Sequence, residues 1–106
     1  MNTNLIQAAL NPKHDNCTPR QTVQAILALS LGQPDGQPKT TGERTELRSA
    51  MRLLCDRLAE TSADWRTQLE TLSDTLFVLA IAGNDTATVS IARVAINKAL
   101  GIGGLL

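Results

Sequence analysis

Two groups of residues in this chain carry side chains whose types and spacing could do chemistry. The first is His14-Asp15-Asn16-Cys17, which places three metal-binding side chains close together. A structural zinc site takes four ligands, in paired spacings. The only other cysteine, Cys55, falls on the apolar side of a helical pattern, where a free thiol packs as a small hydrophobe. A polar loop is the better reading, so no metal and no cofactor is expected. His14 is the sole histidine, and a Ser-His-Asp or Cys-His arrangement would have to recruit it. Nothing around it does so. Glu43, Glu46, Asp56, Glu60 and Asp64 read as solvated faces and helix-start charges rather than as an acid/base pair. Gly101, Gly103 and Gly104 follow a helix instead of opening one, so their amides are not set around a phosphate. The sequence reads as that of a protein that is not an enzyme.

The second group is Arg44, Arg48 and Arg52, spaced by four and therefore on one narrow arc of a helix. Such a stripe can hold phosphates or meet an acidic partner surface. Its plainer reading is a solvated face whose arginine stems cover the edge of the core, with Asp56 as the partner of Arg52 one turn on. The chain carries ten basic and ten acidic side chains, a formal charge of zero. That argues against strong non-specific attraction to nucleic acid or to acidic membranes, which needs a basic surplus. The charge is uneven, however, and most of it lies between residues 39 and 66.

The elements that position these residues are helical. The chain has 106 residues, one tryptophan, one phenylalanine and no tyrosine. Leucine and alanine must therefore form the core, which points to packed helices rather than a sheet. A short helix fits 3–10, ended by Asn11-Pro12. Thr18-Pro19-Arg20-Gln21 is a strong helix start, with threonine as cap, proline in the first turn and glutamine three after the cap. Val23, Ile26, Leu27 and Leu31 follow at helical spacing, and Gly32 closes the element. Residues 32–42, with Pro34, Gly36 and Pro38, read as a linker and the least rigid part of the chain. Thr40 and Glu43 open the next helix, which runs to about Glu60 with the stripe Leu47, Ala50, Met51, Leu54, Cys55 and Leu58.

A helical hairpin closes the chain. Trp65, Leu69, Leu72, Leu76 and Leu79 form one seam, with Thr61 or Ser62 as cap. The back of that helix is polar early, at Glu70 and Asp74, and apolar later, at Phe77, Val78 and Ile81. Gly83 ends it and Asn84 or Asp85 caps the next helix. That one carries a main stripe of Val89, Ala92, Ala95, Ile96, Ala99 and Leu100, and a second of Ala87, Ile91 and Val94 on nearly the opposite side. Apolar residues on two faces place a helix at the centre of its fold or of an assembly. The expected fold is all-α: a small bundle of four main helices with a further short helix at the N-terminus. Phe77, Val78, Ile81, Ile91 and Val94 are the expected protein interface.

From Gly32 to Gly101 the chain resembles small helical phage and prophage proteins related to the small subunit of the DNA-packaging terminase. Gly32, Pro34 and Gly36 match a Gly-x-Pro-x-Gly lead-in. Ala80, Gly83 and Ala87 match the hairpin turn, with Asn84 in place of aspartate, and Asn97-Lys98-Ala99-Leu100-Gly101 resembles the family's ending. The lead-in of those proteins is basic, whereas this one has Gln33, Asp35 and Gln37. The resemblance implies a non-enzymatic, oligomeric phage accessory protein acting by binding and assembly, with a link to DNA packaging. A helical inhibitor of a host defence complex, or a chaperone-like adaptor, is the alternative. The expected partner is a protein or a second copy, with nucleic acid second, and neither a membrane nor a small-molecule substrate. Two cysteines make no disulfide framework, and the N-terminus lacks a signal-peptide pattern, so the cytoplasm is the expected location.

Overall fold

The computed structural model describes residues 18–32 and 37–101. The short helix expected at 3–10, the His14–Cys17 group, Pro34 and Gly36 of the lead-in, and residues 102–106 lie outside the described residues. Among the described residues there are four helices and no strand: α1 (Pro19–Ser30), α2 (Thr41–Thr61), α3 (Trp65–Leu79) and α4 (Ala87–Ala99). The fold is all-α, as the composition predicts.

Helix starts follow from side-chain caps. In α1, the Thr18 hydroxyl accepts from the Gln21 amide at 3.2 Å, while the Gln21 side chain accepts from the Thr18 amide at 3.0 Å. Two otherwise orphaned donors are thus satisfied reciprocally. Thr40 caps α2 by accepting from the Glu43 amide at 3.1 Å. Two caps differ from the sequence expectation. Thr61 belongs to the end of α2, and Ser62 works from outside α3, accepting from the Asp64 amide and donating to Gln68. Thr86, not Asn84 or Asp85, caps α4 by accepting from the Val89 amide at 3.3 Å. Between α3 and α4 the backbone widens into a π-helical turn, Ala80–Asn84, in which Gly83 takes φ +96°. A side chain there would be strained, which is why glycine stands at this point.

One apolar core joins all four helices. The whole α2 stripe is buried, as are Leu69, Leu72 and Leu76 of α3, Val89, Ala92 and Ile96 of α4, and Leu100, which caps the end of α4. In α1 the buried face is turned from the expected one: Thr22, Ile26, Leu29 and Ser30 face inward, and Leu31 is 47 % exposed. Two hydroxyls can be buried here because each donates back to its own helix, Ser30 to the Ile26 carbonyl at 2.7 Å and Thr22 to the Thr18 carbonyl at 3.2 Å.

A polar staple ties the end of the loop to the start of α4. The Gln37 side chain donates to the Gly32 carbonyl and to the Thr88 hydroxyl, both at 3.0 Å, and accepts from the Thr88 amide at 3.1 Å. The buried Thr88 hydroxyl donates in turn to the Ser30 carbonyl at 2.8 Å. Gln37 thereby supplies an acceptor to a first-turn amide of α4 and fastens the end of α1 to it. The stretch read as the least rigid linker is anchored at its Gln37 end, and Pro38 beside it is buried.

Candidate functional site: a cationic groove between α2 and α4

The α2 and α4 helices pack against each other along the stretch where α4 is rich in alanine. Ala92 is fully buried, and a groove opens beside Ala95 and Ala99. Its volume is about 500 Å³, within the roughly 300–1,000 Å³ of ligand-binding clefts. The floor and walls are apolar: Cys55 from α2, and Ile91, Val94, Ala95 and Ala99 from α4. The rim carries Arg48 and Arg52 from α2 and Lys98 from α4, with Asp56 as the single carboxylate, and Ser49 and Ser90 add hydroxyls. Among the described residues no ion pair within 4 Å engages Arg48, Arg52 or Asp56. The Arg52–Asp56 pair expected one turn apart is therefore not formed. Like charges at i and i+4 oppose the helix by about 0.2–0.5 kcal/mol, so an anion seated between Arg48 and Arg52 would relieve a strain already present.

Cys55 sits under this rim with almost no exposed surface. Burial pushes its thiol up to about 11, and the neighbouring Asp56 carboxylate pushes in the same direction. At neutral pH it is a protonated thiol, which packs but neither ligates nor attacks. Among the described residues no group of three or more His, Cys, Asp or Glu side chains is arranged to hold a metal. The groove can offer charge, hydroxyl donors and an apolar bed.

The structure divides the two predicted sites differently from the sequence. Arg48 and Arg52 line the groove, whereas Arg44, a turn earlier and half-buried, does not. Val94, 51 % exposed, joins the arginines instead of a separate docking face. Ile91, expected on that exposed face, is only 8 % exposed and belongs to the core and the groove wall. It packs inward because α2 covers this flank of α4. Phe77, Val78 and Ile81 do remain open, at 51, 58 and 69 %. They continue the outer face of α3 beyond Glu70 and Asp74, which are also exposed. The Arg93 guanidinium lies 5.4 Å from the centre of the Phe77 ring, a cation–π contact that bridges α3 and α4.

Lys98 is the functional candidate that sequence reasoning missed. It follows Val94 by four and Ile91 by seven, so its place beside them on one face was readable. Its convergence with Arg48 and Arg52 was not, because it needs the packing of two helices that are not neighbours in the chain. None of the described helices is long and apolar enough to cross a membrane. No known family, curated protein or solved structure matches the chain.

Proposed function

We propose that the protein is a non-enzymatic binding and assembly protein whose working surface is the α2/α4 groove. The observation that carries this reading is the convergence of Arg48, Arg52 and Lys98, against one carboxylate, over an apolar bed. Cations around an apolar floor suit a protein surface that combines carboxylates with apolar side chains. Interfaces of this kind place apolar contacts at the centre and polar ones at the rim, and charge complementarity sets partner choice and approach rate. A phage or prophage setting, and a part in DNA packaging, is proposed on the resemblance of residues 32–101 to the small terminase subunit alone.

The test is a comparison of two immobilised proteins, the wild type and the variant Arg48→Ala/Arg52→Ala/Lys98→Ala, exposed to the same host extract with nucleic acid retained. A protein, a nucleic acid or free copies of the chain itself should be held by the wild type and lost by the variant. Identical capture by both would end the reading. Contact with DNA is the second form of the proposal, favoured by the same arginines. It requires a salt-dependent mobility shift of duplex DNA that disappears on changing Arg44, Arg48 and Arg52 to alanine, and no shift at low salt would remove it.

A further inference from the structure

We propose that the groove's occupant is a second copy of this chain, seated through the outer face of its α3. This deepens the reading of the groove as a binding surface and rests on it. The outer face of α3 carries Glu70 and Asp74, followed by Phe77, Val78 and Ile81, all exposed. Steps of three and four put Glu70, Asp74 and Phe77 along one flank of α3, and Ile81 lies exposed in the turn that follows. The face is thus acidic at one end and apolar at the other, while the groove offers three cations around an apolar bed. The nearby cations are turned to other tasks. Arg93 lies over the Phe77 ring, and Arg66 donates to the Leu100 carbonyl at 3.1 Å. The two surfaces also agree in length. At 1.5 Å per residue, Glu70 to Leu79 spans roughly 14 Å of α3 and Ser90 to Ala99 roughly 14 Å of α4. With a formal charge of zero, copies meet without net repulsion.

A chain cannot fill its own groove in this way. On α4, Arg93 and Asn97 turn toward α3, meeting the Phe77 ring and the Ser73 hydroxyl (3.4 Å). Ile91, Ala95 and Ala99 line the groove. Helix positions two apart point about 160° away from each other, so α3 and the groove occupy opposite flanks of α4. The contact is therefore heterologous, joining two different surfaces, and each copy keeps one groove and one face free for further copies.

The test uses molar mass in solution by light scattering, from micromolar to millimolar protein, for the wild type, a groove variant (Arg48→Glu/Arg52→Glu) and a face variant (Glu70→Lys/Asp74→Lys). All four positions are at the surface, and circular dichroism confirms that each variant folds. The wild type should rise above its 11.3 kDa monomer mass with concentration. Each variant alone should associate about 100-fold more weakly or worse, because like charges then face each other. An equimolar mixture of the two variants should recover assembly, with the two alternating, since the reversed groove attracts the reversed face and the unaltered groove attracts the unaltered face. A wild type that stays monomeric throughout overturns the inference. So does a groove variant that still assembles, or a mixture that stays monomeric while the wild type assembles. If the wild type is monomeric but the capture comparison still distinguishes the triple-alanine variant, the groove binds another molecule, and only the second-copy assignment falls.

Discussion

Thr88→Val isolates the polar staple that fastens α1 and the loop to α4. Thr88 is 2 % exposed. Its one hydroxyl proton goes to the Ser30 carbonyl at 2.8 Å, so the oxygen must accept from both Gln37 at 3.0 Å and Thr86 at 3.1 Å. Valine keeps the shape and opens no cavity, so the loss is one of hydrogen bonding. The Gln37 amide keeps its bond to the Gly32 carbonyl, and Thr86 can turn toward water. The Ser30 carbonyl cannot, because it lies at the end of α1, where no intrahelical donor remains. Leaving a buried acceptor unpaired costs about 1–3 kcal/mol, and one further net hydrogen bond about 1 kcal/mol. The expected destabilisation is about 2–3 kcal/mol, from a total of about 5–15 kcal/mol for a domain of this kind. It should lower Tm by roughly 10–20 °C. Gln37→Ala should cost less, about 1 kcal/mol, because Gln37 is only half-buried and water can replace it. Urea denaturation followed by circular dichroism measures both variants and the double variant. Values for Thr88→Val within about 0.5 kcal/mol of wild type, the range of ordinary surface changes, would refute the staple. So would full additivity of the two substitutions, since partners in one network couple.

Other consequences are as specific. Gly32→Ala should destabilise by about 1 kcal/mol, since its new methyl would stand 3.2 Å from the Thr88 side chain, which the staple holds in place; the same denaturation assay reads it. Gly83→Ala should also cost about 1 kcal/mol, from its φ of +96° alone, because nothing lies within 4 Å of the added carbon. Leu76→Ala and Met51→Ala, both fully buried, should each cost about 2–5 kcal/mol, whereas Phe77→Ser should change stability by about 1 kcal/mol or less, mainly through its contact with Arg93. In a Cys17→Ser background, Cys55 should resist alkylation at pH 8 until denaturant is added. Its thiol is raised in the folded chain from an ordinary 9.0 to about 11. Above pH 9 the unfolded chain therefore loses this proton first, and stability should fall by about 2–3 kcal/mol as pH rises through that window. Cys55→Ala should lack that part of the slope.

Much of this fold is readable from residue spacing, and the exceptions have physical causes. The α2 stripe is fully legible because it is apolar, runs for about three turns and is uninterrupted by polar positions. The inward face of α1 is not, because Thr22 and Ser30 look like surface residues until their hydroxyls are paired with carbonyls a turn back. The Thr86 cap was hidden by Asn84 and Asp85, equally good cap residues that the π turn carries past the right position. The Gln37–Thr88 staple joins positions 51 apart and leaves no local signal. The candidate site shows the same division. Arg48 and Arg52 stood out by spacing, and Phe77, Val78 and Ile81 by excess apolar surface. That Lys98, Ile91 and Val94 meet the arginines depends on how α4 lies against α2, which periodicity does not specify.

The most direct measurement is a residue-resolved one: amide and methyl chemical shifts of the labelled protein, followed as concentration rises. Two separate sets of signals should move together, one from Arg48, Arg52, Val94 and Lys98 around the groove, the other from Glu70, Asp74, Phe77 and Ile81 on the face of α3. Shifts that are absent, or that cluster elsewhere on the surface, would contradict assembly through the groove.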